Sequence, residues 1–126
     1  MTRIFLGLSA LVWAPYGLWC FLYPGFLAEA AGVSAGTATG TVELRAMYGG
    51  LQFAIGAFAA AAVVRETLQP AALLMVGVLC AGLFIARLPA ALIVGEFSGY
   101  TVMALVVELA VVVIAAWLIR RLPTAI

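Results

Sequence analysis

Four long apolar segments with charged residues inside them constrain this chain more than any other feature. Each segment has about 20 residues, the length that an α-helix needs to cross a hydrocarbon core about 30 Å thick. The segments are residues 4–23, 41–64, 71–94 and 100–119. The sequence therefore predicts an all-α fold, an integral membrane four-helix bundle, in a single transmembrane domain over residues 1–126.

Composition excludes several classes of function. Of the 126 residues, 67% are hydrophobic and 9% are charged, against about 45–50% and about 25% in soluble domains. The net charge of +1 gives no basic surface for nucleic acid. Histidine is absent, which removes the commonest general base and the commonest metal ligand. These observations favour a non-enzymatic protein with no catalytic residue and no metal site.

The distribution of charge in the connections predicts the orientation of the chain. A short interfacial helix is expected at residues 25–32, between the first two spans, ending at Gly32. All the arginines in the connections and ends lie on one side of the predicted bundle, and the loops on the other side carry two glutamates and no basic residue. The arginines are Arg3, Arg65, Arg120 and Arg121, and the glutamates are Glu29 and Glu96. The positive-inside rule then places both termini in the cytoplasm.

The membrane itself is predicted to be the bacterial inner (cytoplasmic) membrane. All basic residues are arginine and all acidic residues are glutamate, a bias that we interpret as that of a GC-rich bacterial genome.

Four charged residues lie within the predicted spans: Glu43, Arg45, Arg87 and Glu108. A charge at the centre of a bilayer costs about 2.5–3.5 kcal/mol on insertion scales, so such residues face the protein interior and find partners. Their charges sum to zero, and helix numbering places all four in the same half of the membrane. We expect structural ion pairs among them, with Arg45, Arg87 and Glu108 at the core.

Polar and aromatic residues at helical spacing surround these charges. The i, i+3, i+4 pattern places Arg45, Tyr48, Gly49, Gln52 and Gly56 on one helix face. That face is polar and small, so we expect it to point inward. The predicted ligand-binding set is Trp13, Tyr16, Arg45, Tyr48, Gln52, Arg87 and Glu108. Such a pocket suits a molecule with an anionic or hydrogen-bonding head and an apolar body, such as a lipid or a quinone. The alternative is that the charges only hold the helices in register.

Small residues at four-residue spacing predict close helix packing. They are Ala46, Gly50 and Ala54 in the second span, and Gly82, Ala86 and Ala90 in the third. Packing within the chain is the simpler interpretation, and a homodimer face is the alternative. The two cysteines, Cys20 and Cys80, fall at different depths, so we expect two free, buried thiols.

The stretch Glu43-Leu-Arg-Ala-Met-Tyr-Gly-Gly-Leu-Gln52, followed by Arg87 and Glu108, resembles a family of small bacterial four-helix inner-membrane proteins known as a domain of unknown function. The resemblance covers nearly the whole chain and implies a fold without a mechanism. More distantly, the layout is similar to the DoxX-like group. That group includes subunits linked to quinone-dependent sulfur oxidation and membrane-protein assembly factors.

Three functions stay open at this point. The first is a binding or accessory protein whose outward-facing polar pocket recognises a lipid-like ligand or a membrane partner. The second is a subunit of a quinone-linked membrane oxidoreductase, and the third is a small transporter. We expect no cofactor other than a bound lipid or quinone. The expected partners are membrane lipid and either a second copy of the chain or another membrane protein, with no nucleic acid.

The predicted orientation can be tested by labelling in intact cells. A Ser98→Cys variant is expected to react with a membrane-impermeant thiol reagent, because that turn faces outward in this topology. A Thr67→Cys variant is expected to react only after permeabilisation. The reverse labelling pattern would overturn the topology.

Overall fold

The computed structural model describes residues 1–122 and contains helices, turns and loops but no strand within that range. The successive elements are α1 (Thr2–Leu22), α2 (Phe26–Ala31), α3 (Ala38–Leu44), a π-helix (Arg45–Gly50), α4 (Leu51–Val64), a 3₁₀ turn (Glu66–Leu68), α5 (Gln69–Val94) and α6 (Gly99–Arg120). The all-α prediction is therefore confirmed.

Four continuous helical stretches in the described part of the chain are long and apolar enough to cross a membrane. They are Thr2–Leu22, Ala38–Val64, Glu66–Val94 and Gly99–Arg120. Each starts one to five residues before the apolar segment that predicted it, because polar residues at the segment ends join the first helical turn. Their number, length and composition indicate a multi-pass membrane protein.

The connections are built from ordinary capping residues. Gly32 ends α2 at φ 67°, in the left-handed region that glycine adopts without a Cβ penalty. The side chain of Thr37 caps α3 by accepting a hydrogen bond from the Gly40 amide at 3.0 Å. Ser98 caps α6 in the same way by accepting from the Thr101 amide. These caps set where the second and fourth spans begin.

The chain divides into two compact units, of which the first covers Met1–Gln69. Its framework is an antiparallel pair of helices, α1 against the π-helix and α4. At one end of the pair Arg3 forms an ion pair with Glu66. At the other end Gly49 lies against Phe21, where a Cβ placed on the glycine would come within 2.7 Å of the Phe21 Cβ.

Two further glycines let the backbones of this pair touch. A Cβ on Gly17 would lie 2.7 Å from the Gly49 carbonyl oxygen and even closer to the Phe53 amide nitrogen. A Cβ on Gly56 would lie 2.7 Å from the Ala14 Cα. Lipid supplies no hydrophobic driving force between helices, so such contact is the main source of their attraction. The first unit therefore depends on glycines at the helix crossing.

The second unit begins at Pro70 and contains most of α5 together with α6. Gly77 of α5 lies beside Ala115 of α6, since a Cβ on the glycine would be 3.2 Å from the Ala115 Cβ. Farther along α5, Arg87 reaches Glu108, which is nearer the start of α6. The two helices therefore also run antiparallel.

The prediction of which small residues pack within the chain is wrong. Ala46, Gly50 and Ala54 are exposed, and so are Gly82, Ala86 and Ala90. Four-residue spacing identifies a smooth helix face but does not reveal which face meets a neighbour. The residues that do pack closely in the first unit are Gly17, Gly49 and Gly56, none of which belongs to the predicted ridges.

This packing predicts opposite responses to alanine at two glycines. Gly56→Ala should lower the free energy of unfolding by about 1–3 kcal/mol, because its methyl group would meet the Ala14 backbone. Gly82→Ala is the matched control: it has no neighbouring heavy atom within 4 Å. The control should be neutral or gain up to about 1 kcal/mol of helix propensity.

The measurement is the unfolding midpoint of each purified variant in detergent micelles. Equal midpoints for the two variants would contradict the close approach of α1 and α4.

Candidate functional site

A π-helix interrupts the second span at Arg45–Gly50. Hydrogen bonds in such a segment run from residue i to residue i+5, and isolated π segments are frequent at functional sites. The wider turn shifts the side chains that follow it relative to an uninterrupted α-helix. On the predicted inward face, Gly49 and Gly56 are buried and Tyr48 and Gln52 are half-buried. Arg45, the first residue of the π-helix, is exposed, so its predicted inward position needs correction.

An apolar groove lies where the π-helix crosses α1, with a volume of about 180 Å³. Three of its lining residues come from α1 and three from the second span: Gly17, Leu18, Phe21, Gly49, Gly50 and Phe53. The glycines leave backbone as the floor, and the phenylalanines form walls. Phe21 and Phe53 are 48% and 46% exposed, so the groove opens on the outside of the first unit.

The sequence contains a signal for this groove that the predicted site did not use. Gly49 and Gly50 are adjacent in a helical span, and adjacent glycines weaken an α-helix by about 1 kcal/mol each relative to alanine. Their presence points to a structural requirement for backbone without side chains. The matching Gly17 on α1 could not be paired with them until the helix register was known.

Arg45 lies at the edge of this groove. Its guanidinium carbon is 5.8 Å from the centroid of the Phe21 ring, a cation–π distance. The first unit, all of whose residues are described, contains the ion pair Arg3–Glu66. Glu43 and Arg45 belong to no ion pair within that unit, and both are exposed. Their pairing with charges elsewhere in the chain stays a prediction.

The depth of Arg45 follows from helix length. About 20 residues separate it from Arg65 at the end of the span, which corresponds to about 30 Å of rise. That distance matches the thickness of the hydrocarbon core. When Arg65 lies at one boundary, Arg45 therefore lies at the other, at the level of lipid head groups. Gly49 and Phe53 continue from there about 6 to 12 Å toward the membrane centre.

The second unit holds the ion pair that the sequence predicts between Arg87 and Glu108. The Arg87 Nε donates to Glu108 Oε1 at 3.0 Å and to Oε2 at 3.3 Å. The Arg87 Nη2 lies 2.9 Å from Oε1. The side chain of Glu108 is 8% exposed and that of Arg87 is 30% exposed. The guanidinium thus reaches from a partly open position to a carboxylate enclosed by protein.

The remaining predicted site residues belong to the first unit. Trp13 and Tyr16 are half-buried on α1, and the Tyr16 side chain is hydrogen bonded to Cys20. Gln52 is half-buried, and its Oε1 is fully enclosed without a donor among the described residues. Buried acceptors are normally satisfied. One pocket formed by all seven predicted residues stays a prediction, because they divide between two units.

The cysteines agree with expectation: Cys20 and Cys80 are free and buried. In the described range, no group of three or more His, Cys, Asp or Glu side chains is arranged to hold a metal ion.

Glu96, in the connection before α6, is a capping residue. Its carboxylate accepts hydrogen bonds from the Thr101 hydroxyl and from the Ser98 amide. The bond from Thr101, followed by those from Ser98, lowers the pKa of Glu96. A carboxyl group with a lowered folded-state pKa stabilises the fold above its unfolded pKa, and the contribution is lost as the pH falls through the folded-state value. We therefore assign Glu96 to the start of α6 and not to the groove.

The unequal burial of Arg87 and Glu108 predicts unequal effects of removing them. Arg87→Met leaves an enclosed carboxylate without its counter-ion and should cost about 3 kcal/mol or more. Glu108→Gln leaves a partly exposed guanidinium that can extend toward the membrane boundary, so it should cost less. The double variant Arg87→Met/Glu108→Gln should recover part of the loss, because neither charge remains.

Unfolding midpoints in detergent for the wild type and the three variants measure this cycle. A double variant that loses as much as the two single changes together would show that the ion pair contributes no coupling.

Comparison with known proteins identifies a family that this chain resembles. The family model of a domain of unknown function, DUF4345, matches residues 1–119. No curated protein and no solved structure matches the chain. The resemblance to a domain of unknown function is thereby confirmed, and the more distant similarity to the DoxX-like group stays a prediction.

Proposed function

We propose that this chain, which belongs to the DUF4345 family, is a non-enzymatic membrane protein that binds a lipid-like molecule. The observation that carries the proposal is the groove of about 180 Å³ between α1 and the π-helix, with Arg45 at its edge. Ligand sites are typically apolar concavities with few polar groups that fix orientation. An open groove with a cation at one end has that character.

The chemistry of the first unit supports binding in preference to catalysis. The groove walls carry aliphatic and aromatic side chains with no nucleophile or titratable group among them. Arg45 lies beside them, at the edge of the groove. Such a site can hold and orient a molecule, but it offers no group that could transfer a proton.

A ligand in this groove would be reached from the lipid phase. Leu18, Phe21 and Phe53 are all about half exposed. In the predicted topology the Arg45 end faces the outer leaflet. In an accessory role, another membrane protein would occupy the same groove. The test below distinguishes that role from lipid binding.

The test is retention of a ligand after gentle purification, read by native mass spectrometry. Gly50→Leu is the variant that fills the groove: a Cβ at this position would meet only the Arg45 carbonyl oxygen, at 3.9 Å, so the leucine should be accommodated without disturbing the helix crossing. Gly82→Leu adds the same side chain at an open position on α5 and is the control.

We expect the wild type and Gly82→Leu to retain an adduct with the mass of a lipid, and Gly50→Leu to lose most of it. Equal retention by all three proteins would contradict binding in the groove. A retained protein chain in place of lipid would favour the accessory role. Reduction of a quinone analogue by the purified protein would favour the oxidoreductase subunit, and substrate flux in proteoliposomes would favour a transporter.

A further inference from the structure

We infer that the molecule in this groove is an anionic phospholipid, with its phosphate on the Arg45 guanidinium and one acyl chain between Phe21 and Phe53. The inference rests on the proposed function and names its ligand class. It follows from three properties of the first unit: the charge of Arg45, the depth of Arg45, and the direction of the groove.

The charge of Arg45 favours an anionic ligand in the groove beside it. In the first unit Arg45 contacts the ring of Phe21 at 5.8 Å, and a ring face attracts a cation without neutralising it. A guanidinium has several donors in a planar fork that matches the oxygens of a phosphate. A quinone head is neutral and provides no counter-charge. Charge complementarity therefore favours a phosphate over a quinone.

The depth of Arg45 is that of a phospholipid head group. The rise from Arg65 to Arg45 is about 30 Å, the thickness of the hydrocarbon core. The phosphate of a lipid lies just beyond that core, within the reach of an arginine side chain. A soluble anion would not need an apolar groove at this position.

The groove continues from the head-group level toward the membrane centre. Gly50 and Phe53 lie about 7 to 12 Å deeper than Arg45 along the helix. The α1 wall matches it, since Phe21 is nearest the Arg45 end and Gly17 is deeper. A cation at the boundary and an apolar channel directed inward reproduce the order of a phospholipid, with its head outermost and its chain below.

Phosphatidylglycerol is the anionic probe, because its head group carries a net negative charge, whereas the head group of phosphatidylcholine is zwitterionic.

The experiment offers purified full-length protein an equimolar mixture of phosphatidylglycerol and phosphatidylcholine with the same acyl chains. Native mass spectrometry gives the ratio of the two adducts. The variants are Arg45→Gln, which removes the charge, and Arg45→Lys, which keeps it. Arg65→Gln removes an exposed arginine at the opposite end of the same span and is the matched control.

We expect the wild type and Arg65→Gln to prefer phosphatidylglycerol. In Arg45→Gln this preference should fall about tenfold, the effect of losing one charge-assisted contact, while phosphatidylcholine is still bound through its acyl chain. Arg45→Lys should retain part of the preference. Circular dichroism and the unfolding midpoint should be unchanged by Arg45→Gln, since the side chain is exposed.

Three results would overturn the inference. Equal loss of preference in Arg45→Gln and Arg65→Gln would show a general electrostatic effect. Unchanged preference in Arg45→Gln, together with loss of both adducts in Gly50→Leu, would leave the groove as a lipid site and remove the phosphate from Arg45. A retained species with the mass of a free fatty acid would replace the phosphate by a carboxylate. If Gly50→Leu retained both lipids, the proposed function itself would fail.

Discussion

The cost of an ionised side chain in hydrocarbon is the constraint on which the rest of this structure depends. Lipid tails cannot hydrate a charge, so each charged residue within a span must reach the boundary or a counter-ion. Glu108 is 9 residues from the start of α6, or about 14 Å from the nearer boundary, and cannot extend so far. The Arg87 Nε donates hydrogen bonds to both carboxylate oxygens of Glu108, and this ion pair connects α5 with α6 in the second unit.

The first unit meets the same constraint in another way. Its helices are held by glycines at which backbones touch, with the Arg3–Glu66 ion pair at one end. Arg45 is exposed, with its guanidinium over the Phe21 ring beside the crossing at Gly49. The first unit thus keeps this charge out of its interior.

The sequence was sufficient for the number and extent of the spans, because length and apolar composition alone decide them. It was also sufficient for Arg87 and Glu108, since two opposite charges at similar depth have few other partners. It placed Gly49 and Gly56 on the inward face of the second span, where both are buried, but it placed Arg45 on that face too, and Arg45 is exposed. A π-helix cannot be deduced from a hydrophobic pattern. The groove also depends on the register of α1 against the second span, which is a property of the tertiary structure.

The choice between a purely structural arginine and a ligand-binding one can be argued from magnitudes. A structural role within the first unit would require a contact strong enough to offset the partial desolvation of Arg45. The ring of Phe21 offers about 0.5–1 kcal/mol at an exposed site, whereas hydrogen bonds to charged groups contribute about 1.5–3 kcal/mol. Phosphates are abundant at the depth where the guanidinium lies, and an apolar groove begins beside it. An anionic lipid satisfies the charge and covers the exposed phenylalanines with one molecule, which neither the aromatic contact nor a neutral ligand does.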